Sequence, residues 1–389
     1  MANKKGHRRF GNIRKLPSGR YQIRYPGPDG RMRTGQTTYA TKTDADRALT
    51  LIEAQIISGD WTDPDRGKVR LGDYARRWIK ERPGLRPKTI DLYTWLLERH
   101  IAPTLGGVAV GKLTTQMIRT WRSELLDSGV SVSTAAKAYR LLRAVLMTAV
   151  EEDKLLSRNP CRIKGADNEQ TPERPVLSVA QVFELADRMA DRRFRALILL
   201  ATFASLRWGE VTALQRCDID LAARTVRVRH QLVELTSGKL ILGPPKSRAG
   251  KRIVSIPAVI IPALEEHLAT YVDDVPDAFV FLGARGGFLR GGNFRREAKW
   301  AEALKEMGLT GLHFHDLRHT GNTLAAQSGA SLADLKARMG HDSDRAALIY
   351  QHATRRADQM IADALSARIE AERRERNGGS LPGPPASEG

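Results

Sequence analysis

Two polar stretches, 61–70 and 164–174, most constrain what this chain of 389 residues can fold into. The first contains Pro64 and Gly67 and the second Gly165 and Pro172, so each reads as a linker rather than an element. They divide the chain into blocks 1–60, 71–163 and 175–376, with a Gly/Pro/Ser-rich tail at 377–389 expected to be disordered. The blocks differ in hydrophobic periodicity. The expected fold class is therefore multidomain, mainly α with small β-sheets: a β-sheet/helix module, a helical domain and a mixed α+β domain.

In the first block, 10–16, 20–25 and 31–39 read as short strands. Pro17-Ser18-Gly19 and Pro26-Gly27-Pro28-Asp29-Gly30 separate them as turns. Tyr21, Ile23 and Tyr25 alternate with Gln22 and Arg24, the period of a half-buried strand. Thr43 or Asp44 is expected to cap a helix running to about residue 58. A block this small has little core, so a purely structural role does not justify it. Arginines on a small sheet can enter a DNA groove, and Arg20, Arg24, Arg31 and Arg33 are the candidates.

The second block reads as helices throughout. Residues 71–82 are amphipathic, and Pro87 opens a helix to about residue 100. A third, 114–128, has Met117, Ile118, Trp121 and Leu125 at helical spacing. Ser131 or Ser133 caps a fourth, through about residue 149, with Ala136, Tyr139, Leu142, Leu146 and Val150 as its apolar stripe. Its polar face carries Lys137, Arg140 and Arg143, further candidates for binding DNA. Charge supports both surfaces. Residues 1–60 hold 12 basic and 5 acidic side chains and 61–165 hold 20 and 11, so +16 of the net +19 sits in the first 165 residues. A basic half of that kind reads as a polyanion-binding surface.

The third block mixes helices at 178–188, 192–204, 210–214, 259–271, 293–307, 317–328 and 332–339 with strands at 225–231, 239–242 and 251–256. A last helix, about 354–376, places Ile361, Leu365 and Ile369 at four-residue steps, a stripe suited to packing. No run of about 18 apolar residues exists, so no membrane span is expected. The basic start lacks a following apolar stretch, so no secretory signal is expected. Two isolated cysteines, Cys161 and Cys217, make neither a disulfide framework nor a zinc ribbon and fit a reducing cytoplasm.

Six scattered residues carry the chemistry: Arg207, Lys246, His315, Arg318, His341 and Tyr350. Five are nitrogen donors and one is a phenol, a set suited to a substrate that grows more negative as it reacts. Arg207 follows an apolar helix, where a charge is costly unless paired or used, and Glu210 three residues on is a natural partner. Its rigid fork matches phosphate oxygens. Lys246 is a hairpin lysine between two strand candidates, able to protonate a leaving oxygen; Lys251 and Arg248 in the same loop compete for that task. His315 and Arg318, three apart, share a helix face. His315 and His319, four apart, lack a nearby Cys or Glu at zincin spacing, so no metal site is expected. His341 follows Met339-Gly340, a helix-stop signal. A tyrosine nucleophile at Tyr350 needs its proton removed and its phenolate held by cations.

In order and spacing, Arg-x-x-Glu, the hairpin lysine, His-x-x-Arg, Gly-His and a tyrosine nine residues on resemble the catalytic domain of tyrosine recombinases, the phage integrase family. His315-Asp-Leu-Arg-His-Thr is particularly specific. Ser205 stands where the family often has Gly before Leu-Arg; it flanks the motif and puts little in doubt. The resemblance extends upstream. Residues 71–163 look like the core-binding domain and 1–60 like the arm-binding module. It implies that Tyr350 attacks the scissile phosphate to form a 3′-phosphotyrosyl bond and free a 5′-hydroxyl. Arg207, Arg318 and His341 would stabilise the transition state, His315 would assist proton transfer, Lys246 would act as general acid, and Glu210 would give structural support. It implies no cofactor, no metal and no ATP. The partners implied are double-stranded DNA attachment sites, a homotetramer on that DNA, an excisionase and a host DNA-bending protein, all on nucleoid DNA in a bacterial cytoplasm. The last helix would dock onto a neighbouring protomer.

Overall fold

In the computed structural model the described residues are 9–59, 61, 63, 66–169, 174–340, 366, 369 and 370. The chain forms two compact units, Met1–Pro172 and Glu173–Gly389.

The first unit begins with an antiparallel sheet of β1 (Asn12–Lys15), β2 (Tyr21–Pro26) and β3 (Met32–Tyr39), in that order. The alternation in β2 sends Ile23 and Tyr25 inward and leaves Arg24 exposed. Helix α1 (Lys42–Ser58) packs Ala45 and Leu49 against them. Its cap is Thr41 rather than Thr43 or Asp44: Thr41 Oγ1 accepts from the Asp44 amide and donates to its carboxylate at 2.6 Å. Four fully buried side chains make a thin core, and Arg33 reinforces it. Its guanidinium lies between Asp29 and Asp63, 2.6 Å from each, over the Trp61 ring, with 10% of the side chain exposed. Arg33 is therefore committed within the module, whereas Arg24 and Arg31 stay exposed and Arg20 leans on Thr38.

The same unit continues with α2 (Leu71–Glu81), α3 (Pro87–Leu96), α4 (Ala102–Leu105), α5 (Thr115–Asp127) and α6 (Val132–Glu151). Pro87 starts α3, Thr114 caps α5 and Ser131 caps α6. The helix expected to stop near residue 100 runs on into α4 through a wider turn, Leu97–Ile101, where the His100 carbonyl accepts from Trp121 Nε1 at 2.6 Å. Ala136, Tyr139, Leu142 and Leu146 of α6 enter the core with Trp121. Its outer face is not bare charge. Glu169 pairs with Lys137 at 3.3 Å and with Arg140, and Asp167 lies 3.4 Å from Arg143. Hydrogen bonds from Ser133 and then Arg140 hold the Glu169 carboxyl down at about 2. A phosphate approaching this face must replace carboxylates that already occupy it.

The second unit is built around α8 (Arg193–Phe203), whose residues from Ala196 to Thr202 are all nearly inaccessible. It packs on α7 (Val179–Asp187), α10 (Ile261–Tyr271) and α13 (Phe314–Gln327). A short α9 (Trp208–Val211) follows α8; α11 (Gly291–Glu297), α12 (Trp300–Glu306) and α14 (Leu332–Met339) complete the α-helices of residues 174–340. The strands form two sheets: β4 (Ile219–Asp220), β5 (Thr225–Val228) and β8 (Arg252–Ser255) in the order β4-β5-β8, and a hairpin of β6 (Gln231–Glu234) with β7 (Leu240–Gly243).

Three expectations shift here. The strand at 225–231 divides into β5, which pairs with β8, and β6, which pairs with β7 in the other sheet; between them Arg229 donates to Asp218 at 2.5 Å. The helix at 293–307 breaks into α11 and α12 at Lys299, whose φ is +49°. The helix expected from residue 317 begins at Phe314. There the Asp316 carboxylate accepts from the His313 amide at 2.7 Å, a cap hidden in the sequence because histidine is not a usual N-cap residue. The helix at 354–376 and the tail at 377–389 fall almost wholly outside the described residues, with only Ser366, Ile369 and Glu370 described.

Candidate active site

The site is assembled around one buried carboxylate. Glu210, on α9, is 1% exposed. Its Oε1 accepts from Arg207 Nη1 at 2.6 Å and Arg252 Nη1 at 3.2 Å. Its Oε2 accepts from the Arg207 amide and Arg252 Nη2, both at 3.0 Å, and Arg318 Nη1 stands 3.8 Å away. Burial alone would raise this carboxyl. The hydrogen bond from Arg252 and the charges of Arg252, Arg207 and Arg318 outweigh it and hold the group at about 2. Three guanidinium groups around one carboxylate leave excess positive charge in the interior, a setting that favours an anion.

The same three arginines clasp the end of α14. Arg252 Nε donates to the Arg338 carbonyl at 2.8 Å, Arg318 Nη2 to Met339 at 2.5 Å, and Arg207 Nη2 to Gly340 at a long 3.5 Å. The last carbonyls of a helix lack intrahelical donors and carry the negative end of its dipole, so cations belong there. Gly340 ends the helix in the left-handed region, φ +62°, and a Cβ on it would stand 2.7 Å from the Ala249 carbonyl. Its stop signal thus works as read from the sequence. His341 and Tyr350 lie outside the described residues.

Arg207 and Arg318 differ in burial. Arg207 keeps 35% of its side chain exposed; Arg318 keeps 3% and also donates to the Ser205 carbonyl. Helix α13 reaches α8 this closely because residue 321 is Gly: a Cβ there would lie 1.8 Å from the Thr202 carbonyl. His315, on the first turn of α13, is exposed. Although its surface is open to solvent, the surrounding protein partly desolvates the ring, and this, with the Arg318 and Arg207 charges, lowers its pKa from the usual imidazole value. That shift favours the neutral imidazole, the form that can take a proton.

Lys246 is exposed on the segment between β7 and β8. This is not a hairpin turn as the sequence suggested: β7 pairs with β6 and β8 with β5, so the loop crosses between two sheets. Arg248 and Lys251 on the same loop are exposed as well. Arg252 was absent from the sequence candidates. Its signal was the alternation of Arg252, Val254 and Ile256, which puts an arginine in register with two core positions, while Ile253 between them is 60% exposed.

Ser205 matters more than its flanking place suggested. Its φ is +53°, and its hydroxyl is buried without a hydrogen-bond partner. A left-handed conformation costs a non-glycine residue about 1–2 kcal/mol, which gives a physical reason for glycine at this position. Ser205→Gly should stabilise the chain by about 1 kcal/mol after the entropy lost to glycine is subtracted. Thermal unfolding should then shift up by roughly 2–4 °C. A lower midpoint would show that the serine is not strained.

Three family descriptions match the chain in order: "Phage integrase, N-terminal domain" over 9–58, "Phage integrase central domain" over 71–166, and "Phage integrase family" over 176–356. The integrase of Mycobacterium phage L5 is 35% identical over 377 residues, spanning 92% of this chain and 98% of that protein. The chain belongs to the phage integrase family. It is a site-specific tyrosine recombinase. Solved relatives share this integrase's fold at lower identity. The Tn1549 transposon integrase in complex with a circular intermediate DNA superposes with a TM-score of 0.66 at 20% identity, over 76% of this chain and 99% of that one. A λ integrase tetramer bound to a Holliday junction gives 0.54 at 18% identity, over 89% and 96%. No helix among the described residues is long and apolar enough to cross a membrane.

Proposed function

We propose that this integrase inserts and excises a mobile element by cutting each DNA strand with Tyr350. The phenolic oxygen attacks the scissile phosphorus, a 3′-phosphotyrosyl bond forms, and the 5′ oxygen leaves with a proton from Lys246. Arg207, Arg318 and His341 neutralise the charge gathered on the phosphate, and His315 assists proton transfer. Glu210 holds the arginines. The ester conserves the energy of the broken bond, so a partner strand's 5′-hydroxyl can reverse the step without ATP or metal. The observation that carries this reading is the joint grip of Arg207 and Arg318 on Glu210 and on the α14 end, from which His341 follows directly.

Two DNA contacts per chain fit the concentrated charge: an arm site for the 9–58 module, with Arg20, Arg24 and Arg31 in reach of solvent, and a core site for the α6 face with Lys137, Arg140 and Arg143. Four protomers act on two attachment sites, as the λ integrase tetramer on its junction suggests. An excisionase and a host DNA-bending protein complete the assembly on nucleoid DNA in a bacterial cytoplasm. A topoisomerase using the same phosphotyrosine would religate the duplex it cut. A supercoiled plasmid carrying both attachment sites separates the two: we expect recombinant circles, and relaxation of the parent plasmid alone would favour the topoisomerase.

A further inference from the structure

We propose that Arg252 is a positioning residue that sets the Lys246 loop against the α14 end. The inference rests on Lys246 being the general acid. Arg252 is 5% exposed on its side chain, and every nitrogen of its fork donates to the protein. Nη1 and Nη2 reach the two oxygens of Glu210, Nε reaches the Arg338 carbonyl, and Nη1 also reaches the Gly250 carbonyl at 3.1 Å. A group so fully used within the protein is poorly placed to grip phosphate. It is well placed to join three stretches distant in sequence: Glu210 with Arg207, the α14 end before His341, and the loop that carries Lys246.

That loop folds on itself at the same point. A Cβ on Gly250 would stand 2.6 Å from Pro245 Cβ, so the turn 248–250 lies on the residue preceding Lys246. Gly340 closes the other side: a Cβ there would come within 2.7 Å of the Ala249 carbonyl and 3.2 Å of Arg252 Cδ and Nη1. Loop base, arginine and helix end therefore share one tight junction. Arg252 fixes the base of the loop, and Lys246 depends on that base for its distance to the leaving 5′ oxygen. When cleavage occurs, the tyrosine O–P bond forms, the P–O5′ bond breaks, and the Lys246 proton passes to O5′.

The test uses full-length Arg252→Lys, which keeps the charge and loses the fork, beside Lys246→Ala. Each is offered attachment-site DNA with the ordinary 5′ oxygen or with sulfur replacing it at the scissile bond. A thiolate leaves without a proton, so sulfur rescues loss of the general acid and nothing else. We expect both variants to lose on the order of 10²-fold in cleavage of the oxygen substrate. On sulfur both should recover to within about tenfold of the wild type, with DNA affinity unchanged. An Arg252→Lys protein equally slow on both substrates, or as fast as the wild type on oxygen, overturns the inference. If Lys246→Ala is not rescued, the general-acid reading fails and this inference fails with it. Should Arg252→Lys not fold, Arg252→Gln takes its place; if neither folds, the residue is structural and the inference is wrong.

Discussion

Arg318→Ala should cost this integrase both stability and cleavage, whereas Arg207→Ala should cost mainly cleavage. Both guanidinium groups lean on Glu210, but their side chains differ in exposure, 3% for Arg318 against 35% for Arg207. Removing Arg318 strips donors from the Ser205 and Met339 carbonyls and takes one cation from a buried carboxylate. Losing one partner of a buried charge cluster costs about 3–5 kcal/mol. Arg207 keeps a third of its side chain exposed, and solvent there screens its loss to about 1 kcal/mol or less. On the proposed mechanism each removal deletes one donor to the charge developing on phosphate, so cleavage should fall by roughly 10²–10³ in both. Urea unfolding together with single-turnover cleavage measures the two effects. Equal destabilisation, or normal cleavage by Arg207→Ala, would contradict the geometry.

The second large effect belongs to Glu210. Glu210→Ala leaves Arg252, Arg207 and Arg318 crowded without their shared anion, and should destabilise the chain by about 3–5 kcal/mol. The same carboxylate gives an acid dependence of defined sign. Its folded-state value, about 2, lies below the ordinary 4.5, so the unfolded chain binds the proton more readily. Its contribution is complete above about pH 4.5 and is lost as pH falls toward 2. The stability gap between the wild type and Glu210→Gln should therefore narrow through that window. A gap constant from pH 7 to pH 3 would show that Glu210 is not held as an ion.

Much of this fold could be read from local patterns. Of the two caps the sequence offered for α6, Ser131 serves, and Ala136, Tyr139, Leu142 and Leu146 of the expected stripe are buried, while Val150 at its end is only half-buried. The alternation around Ile23 and Tyr25 likewise marks β2. What escaped depends on partners distant in sequence. Strand 225–231 divides because its first half pairs with β8 and its second half with β7, in separate sheets. Arg33 turns inward to Asp29 and Asp63, although on a strand it looks like its neighbours. The site divides in the same way. Arg207 and Glu210 are three apart, so their bridge was visible in sequence, and His315 and Arg318 share the first turns of α13. Arg252 was hidden because its value lies in meeting Glu210, 42 residues before it, and Arg338, 86 residues after it. Ser205 was underrated because its left-handed backbone is a product of the α8–α9 turn and carries no mark in the residue type.

The most direct test of the central claim is covalent capture. The protein would be incubated, with EDTA present, with DNA flanking its own gene. The products would run on a denaturing gel, wild type beside Tyr350→Phe. A protein–DNA band that resists denaturation should form with the wild type and vanish completely in Tyr350→Phe, while both bind the DNA. A band that persists in Tyr350→Phe, or tight binding with no band from either protein, would contradict cleavage by Tyr350.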